Sequence, residues 1–146
     1  MPPIVVLALI GIIMWWVADL VPEMDLVIPE RIIVATIISL AGITLILAGA
    51  VAFRIARTTV NPMQPDKTSS IVTRGIYKIS RNPMYVGFLL ILFSWAVLLS
   101  NVFSFALLPA FVWYMNRYQI IPEEQALLAK FGEEYAAYTK NVRRWL

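Results

Sequence analysis

VGFLLILFSWAVLLSNVFSFALLPAFVWYM, residues 86–115, is the stretch on which the fold turns. As one α-helix these 30 residues would reach about 45 Å, well beyond a bilayer core of about 30 Å unless steeply tilted. Broken at Ser100-Asn101, the stretch becomes two short spans joined by a tight turn. Arg81-Asn82-Pro83-Met84-Tyr85 comes just before it, and Glu123-Glu124, then Phe131-Gly132-Glu133-Glu134-Tyr135, comes just after. Between Asn82 and Asn116 there is no charged side chain. A hairpin would bring both polar patches to one bilayer face, as a pocket beside lipid. Such a pocket suits chemistry that joins a water-soluble reagent to a lipophilic substrate.

Charge placement favours the hairpin. With two earlier spans and a hairpin, Arg54, Arg57, Lys67, Arg74, Lys78, Arg81, Arg117, Lys130, Lys140, Arg143 and Arg144 share one side. Those are 11 of the 12 basic residues; Arg31 alone lies opposite, beside Asp19, Glu23, Asp25 and Glu30. A single third span would divide the basic residues between both faces. The positive-inside rule therefore predicts four helices with both termini cytoplasmic.

Composition places the chain in a membrane. Of its 146 residues 60% are hydrophobic and 14% charged, against about 45–50% and about 25% in soluble domains. Mean hydropathy is +0.77. The length fits one domain over 1–146. Without cysteine or histidine there are no disulfides, thiol nucleophiles or imidazole bases, and most metal and haem sites lose their ligands; no metal is expected. Basic residues bordering apolar spans read as contacts to anionic lipid headgroups, so no nucleic-acid partner is expected.

The expected architecture is an all-α integral-membrane bundle of about four transmembrane helices, near 3–20, 32–55, 84–100 and 102–120. An amphipathic cytoplasmic helix follows over 122–139. The first segment lacks the basic region and cleavage site of a signal peptide. Ile32 to Phe53 is 22 uncharged residues, about 33 Å as helix. Its small residues Ala35, Ser39, Gly42, Ala48, Gly49 and Ala52 read as close helix packing, with a dimer interface as the alternative. Trp15-Trp16 and Trp113-Tyr114 fall at the interfaces; Trp95 does not fit that pattern. The loop Thr58–Ser80 is polar, with Pro62, Pro65 and Gly75 as turn formers. In the tail, Leu127 or Leu128, Phe131, Tyr135 and Tyr138 repeat at helical spacing, and Gly132 marks a kink or close contact.

Candidate residues cluster at the two patches. Glu123-Glu124 would complement a helix N-terminus, yet facing the other patch they could also bind a cationic group, with Arg117 as a possible partner. Arg81 reads as a snorkelling base, Asn82 as a helix cap and Pro83 as the first-turn proline, without excluding ligand contact. Tyr77 and Tyr85 could anchor at the interface, pack on a purine or face a sulfonium. Ile71-Val72-Thr73-Arg74-Gly75 is either an ordinary loop strand or a backbone lining for a cofactor. Phe131, Tyr135 and Tyr138 read as packing residues, and Arg143-Arg144 as a solvated or lipid-facing end.

Ser70-Ile71-Val72-Thr73-Arg74-Gly75-Ile76-Tyr77 with Ser80-Arg81-Asn82-Pro83-Met84-Tyr85-Val86-Gly87 resembles the isoprenylcysteine carboxyl methyltransferase and phospholipid methyltransferase superfamily. So does Pro122-Glu123-Glu124 with Leu127, Phe131-Gly132, Tyr135, Tyr138 and the ending Val142-Arg143-Arg144-Trp145. The match covers about half the chain, and the two motifs stand in order around a helical hairpin. The resemblance implies an integral-membrane enzyme that uses S-adenosyl-L-methionine without a Rossmann domain. It implies that Ile71, Val72 and Tyr77 line the cofactor pocket with Asn82, Pro83, Met84 and Tyr85, Gly75 lying in the same loop. Glu123 would bind the cofactor with Glu124 beside it, and Arg117 or Gln119 would lie near the substrate. The family often has histidine where Asn82 stands and another near Ser69 or Ser70, so no imidazole mechanism operates here. The short N-terminal region also points away from prenylated protein as substrate.

Methyl transfer from a sulfonium needs donor, methyl and acceptor in line and dry. A carboxylate acceptor arrives deprotonated, whereas an amine must lose a proton to Glu124, Tyr85 or water. The absence of histidine therefore leans toward a carboxylate on a lipophilic small molecule or lipid-linked acceptor, entering laterally from the membrane. The rivals are a four-helix exporter of lipophilic cations, a structural subunit and a reductase with a related helical core. An exporter would want an acid deep in a span, and the sequence has none.

Overall fold

A computed structural model describes residues 1–22, 26–56 and 71–146. The part of the polar loop that holds Pro62 and Pro65 lies outside the described residues, as do Glu23, Asp25, Arg57, Lys67, Ser69 and Ser70. Regular structure is all α: α1 Pro3–Leu20, α2 Arg31–Ile55, α3 Pro83–Leu99, α4 Val102–Met115, α5 Ile121–Phe131 and α6 Glu133–Asn141. A 3₁₀ turn over Gly75–Lys78 precedes α3, and a π-helical segment, Asn116–Ile120, joins α4 to α5.

The run 86–115 does fold back at Ser100-Asn101. Ser100 ends α3 in the left-handed region at φ +54°. Asn101 then starts α4, its side chain accepting from Phe103 N at 3.1 Å. This tip is fastened to the bundle on two sides. Asn101 Nδ2 donates to Val21 O at 2.9 Å, Arg31 Nη1 donates to Ser100 Oγ at 3.4 Å, and Leu26 N donates to Ser100 O. The end of α1 and the start of α2 therefore meet the hairpin tip, leaving the start of α1 and the end of α2 at the opposite end.

Helices α2 and α3 cross with backbones in contact. A Cβ on Gly87 would stand 2.6 Å from Gly42 O, and one on Gly42 would stand 2.9 Å from Gly87 O. The small residues of α2 thus serve packing inside this chain: Ala35, Gly42 and Gly49 are buried. A core of Val6, Met14, Leu92, Ala96, Phe111 and Met115 joins α1, α3 and α4. Trp95, which fits no interfacial belt, donates Nε1–H to Gly11 O at 3.0 Å. Outside that core Ile4, Leu9, Ile12, Ile33, Ile37, Leu40 and Leu47 are exposed, a surface made for lipid rather than water. α1 and α2 are long and apolar enough to cross a membrane, and α3 is a shorter apolar helix.

Two expectations about the tail change. No break separates the last apolar helix from the acidic pair: α4, the π segment and α5 are continuous, so Glu123-Glu124 do not sit at a free helix N-terminus. Pro122 explains the π segment. It has no N–H for the Tyr118 carbonyl and its ring collides with that carbonyl, so the preceding turn widens. The single tail helix expected over 122–139 is two, because Gly132 takes φ +54° and turns the chain between α5 and α6.

Candidate functional site

The two polar patches come together where the start of α3 meets the start of α5. Pro83 occupies the first turn of α3, and Asn82 O accepts from the backbone N–H groups of Tyr85 and Val86. Tyr85, one turn in, points across the hairpin and its hydroxyl donates to Glu123 Oε1 at 2.8 Å. Gln119 Nε2 donates to the same oxygen at 3.3 Å. Gln119 itself is buried in the π segment, whereas Arg117 on that segment is exposed. Of the two polar residues expected near the substrate, the fold turns Gln119 inward.

Glu123 and Glu124 have opposite surroundings. Glu124 lies between two guanidiniums: Arg81 Nη1 is 3.0 Å from Oε1, and Arg144 gives Nη2 to Oε2 at 2.7 Å and Nε to Oε1 at 3.1 Å. Glu124 makes both ion pairs found among the described residues. Glu123 has neutral donors in place of a base. Burial pushes its carboxyl up to about 7; the bonds from Tyr85 and Gln119 oppose that rise, and the charge on Glu124 adds to it. The result is a buried carboxyl held by neutral donors, with no basic side chain paired to it among the described residues.

Aromatic groups pack on the same end of the bundle. The 3₁₀ turn begins at Gly75, whose φ of +62° suits glycine, and it carries Tyr77 inward. The Tyr77 ring meets Phe53 edge-on at 5.3 Å between centroids. Met84 and the Tyr77 hydroxyl sit against Gly49, where a Cβ would come within 2.5 Å of Met84 Cγ and 3.4 Å of Tyr77 Oη. Tyr138 of α6 donates its hydroxyl to Tyr77 O at 2.7 Å, and Tyr135 is buried beside it with ring centroids 6.1 Å apart. Burial raises the Tyr77 and Tyr138 phenols and pushes Tyr135 up to about 12, so all three remain neutral donors. Val72 is buried and Ile71 half-buried on the approach to this turn.

The last residues hold the two patches together. Arg81 N donates to Arg143 O at 2.9 Å, within a parallel bridge between Ser80 and Arg143. Asn82 Nδ2 donates to Arg144 O at 2.9 Å, so this asparagine ties down the tail and does not cap α3 with its side chain. Trp145 Nε1 donates to Asn116 Oδ1 at 3.0 Å. Arg144, read from the sequence as a solvated or lipid-facing end, is instead paired with Glu124. The only sequence signal for it is its place in the ending Val142-Arg143-Arg144-Trp145.

A family model described as phospholipid methyltransferase matches residues 30–134. Protein-S-isoprenylcysteine O-methyltransferase B of Arabidopsis thaliana is 30% identical over 112 residues, covering 72% of this chain and 57% of that protein. Protein-S-isoprenylcysteine O-methyltransferase of Rattus norvegicus is 32% identical over 114 residues, covering 73% of this chain and 40% of that protein. An uncharacterized protein of Haemophilus influenzae is 43% identical over 63 residues, 43% of this chain and the whole of that protein. The chain thus spans 57% and 40% of the lengths of the two named methyltransferases. No solved structure matches it.

Proposed function

Because the chain belongs to the phospholipid methyltransferase family, we propose that it is a membrane methyltransferase acting on a lipophilic acceptor, with S-adenosyl-L-methionine as donor. The observation that carries this reading is Glu123, a buried carboxylate held by Tyr85 and Gln119 with no basic side chain paired to it among the described residues. The donor's cationic groups fit there, and the Tyr77 and Tyr85 rings offer faces that attract a sulfonium. When bound, the donor would supply a methyl group activated on positive sulfur, taken by a nucleophile with the electron pair of the broken bond left on sulfur.

In this reading Ile71, Val72, Pro83 and Met84 supply apolar wall, and Gly75 lets the loop approach. Asn82 and Glu124 keep the wall assembled through Arg81 and Arg144. Glu124, held between two guanidiniums, organises the site, and the chain has no histidine to act as base. That favours an acceptor arriving deprotonated, a carboxylate, as in isoprenylcysteine-type O-methylation. Gln119 faces the pocket, and Arg117 stands at the outer rim for an anionic headgroup. The basic end of the bundle faces the cytoplasm, in a prokaryotic cytoplasmic membrane, by the positive-inside rule.

Calorimetric titration of the detergent-purified protein with S-adenosylmethionine and S-adenosylhomocysteine tests this. Glu123→Gln should weaken S-adenosylmethionine binding at least tenfold, about 1.4 kcal/mol or more. Equal affinity in both proteins would remove Glu123 from the site.

A further inference from the structure

The segment ahead of α3 has two faces. Val72, Tyr77 and Ser80 are buried, while Arg74, Lys78 and Ile79 between them are exposed, Ile79 to 60%. The 3₁₀ turn in this segment packs on the last turn of α2, where the Tyr77 and Phe53 rings meet edge-on. There Arg54 and Ile55 are exposed as well, Ile55 to 78%. The two elements together present one patch in which three cations stand among aliphatic side chains.

Such a patch suits a bilayer boundary better than water. α2 keeps an exposed apolar surface through Leu47 and Val51 as far as Ile55, so the turn packed on its end lies at headgroup level. Ile55 and Ile79 gain by entering the acyl boundary. Arg54, Arg74 and Lys78 take part in neither ion pair found among the described residues. Apolar insertion together with uncompensated positive charge selects a leaflet that carries anionic headgroups. The buried face of the same turn looks into the candidate site. Tyr77 and Met84 sit against Gly49, and Tyr138 donates to Tyr77 O at 2.7 Å. Burial raises the Tyr77 phenol, and the charges on Tyr138 and Glu123 add to that rise, which places Glu123 within electrostatic reach of the turn. Lys78 alone separates the inward Tyr77 from the outward Ile79.

We propose that the outer face of this turn docks on anionic phospholipid headgroups of the adjoining leaflet, and that the contact presses Tyr77 into the wall beside Glu123, so that lipid charge regulates donor binding. The regulation rests on the methyltransferase reading; the docking surface does not. Arg74 and Lys78 then supply the preference for anionic lipid, while Ile55 and Ile79 supply the hold on the bilayer.

The test uses the full-length protein in nanodiscs of phosphatidylcholine, with and without phosphatidylglycerol. The chain has no cysteine of its own, so Ile79→Cys takes a single bimane label. Brominated forms of the two lipids are compared as quenchers at equal mole fraction. Brominated phosphatidylglycerol should quench at least threefold more strongly than brominated phosphatidylcholine, and high salt should remove the difference. Arg74→Gln with Lys78→Gln should remove it too, whereas Arg74→Lys with Lys78→Arg should keep it. Equal quenching by the two lipids in the labelled parent overturns the docking surface. S-adenosylmethionine titration of the unlabelled protein should show at least threefold tighter binding with phosphatidylglycerol present, and the double glutamine variant should bind equally in both lipids. A gain that persists in that variant reflects cofactor gathered at a charged surface and overturns the regulation, as does binding indifferent to lipid. Selective quenching without cofactor binding in either lipid keeps the docking surface and removes the methyltransferase reading.

Discussion

At the scale of single residues, Glu123 makes the pocket sensitive to pH. A carboxyl raised inside the fold to about 7, from an ordinary value of 4.5, binds more protons folded than unfolded between those limits. The ligand-free fold therefore carries no penalty from this group below pH 4.5 and loses up to about 3 kcal/mol as pH rises to 7. Binding of a cation has the opposite sign, because only the ionised carboxylate attracts it. S-adenosylmethionine affinity should rise about tenfold per pH unit toward pH 7 and level off above it. Calorimetry from pH 5.5 to 8.5 checks this, and Glu123→Gln should flatten the profile. A wild-type profile with no inflection near neutrality would mean that Glu123 does not meet the ligand's charge.

At the scale of elements, the α2–α3 crossing and the π segment govern the pocket. Gly42 and Gly87 let the two backbones touch, which brings Gly49 of α2 against Met84 and Tyr77. Gly87→Ala would put a methyl group 2.6 Å from Gly42 O and Ile46 Cγ1, an overpacking that costs about 1–3 kcal/mol. Gly11→Ala meets only Leu92 Cδ2 at 3.9 Å and should be neutral, or stabilising by up to about 1 kcal/mol through helix propensity. Thermal melts of both variants in one detergent check the pair, and equal melting would refute the close crossing. The π segment has a separate effect. By widening the turn ahead of Pro122, it turns Gln119 inward with Glu123 and leaves Arg117 outside.

At the scale of the whole molecule, charge and shape agree on which end is which. The hairpin tip, Arg31 and the end of α1 meet at one end, while Arg81, Arg144 and the acidic pair meet at the other. Single cysteines are informative because the chain has none of its own. In right-side-out vesicles, a membrane-impermeant maleimide should reach Val27→Cys from outside, since Val27 is 98% exposed near the hairpin tip. Arg74→Cys and Lys130→Cys should be protected together until the vesicles are opened. Residues 74 and 130 labelled from opposite sides would contradict the shared pocket. The tail completes the arrangement: Arg143, Arg144 and Trp145 bind Arg81, Asn82, Glu124 and Asn116, closing a circuit through α3, the π segment and α5.

The hairpin was legible in the chain itself, because an uncharged run too long for one span and a one-sided set of arginines and lysines leave few alternatives. The motif around Asn82 and the Glu123-Glu124 pair was legible too, since a hairpin brings any two flanks together. Which carboxylate would be paired and which left with neutral donors was not. That depends on the turn at Gly132 carrying Arg144 back onto Glu124, a contact across 20 residues that helical periodicity does not encode. Nor could a 3.6-residue period choose Gln119 over Arg117, because the widened turn before Pro122 resets the register where the choice is made. Local patterning fixed the helices and their order; the angles at two backbone irregularities decided which side chains meet.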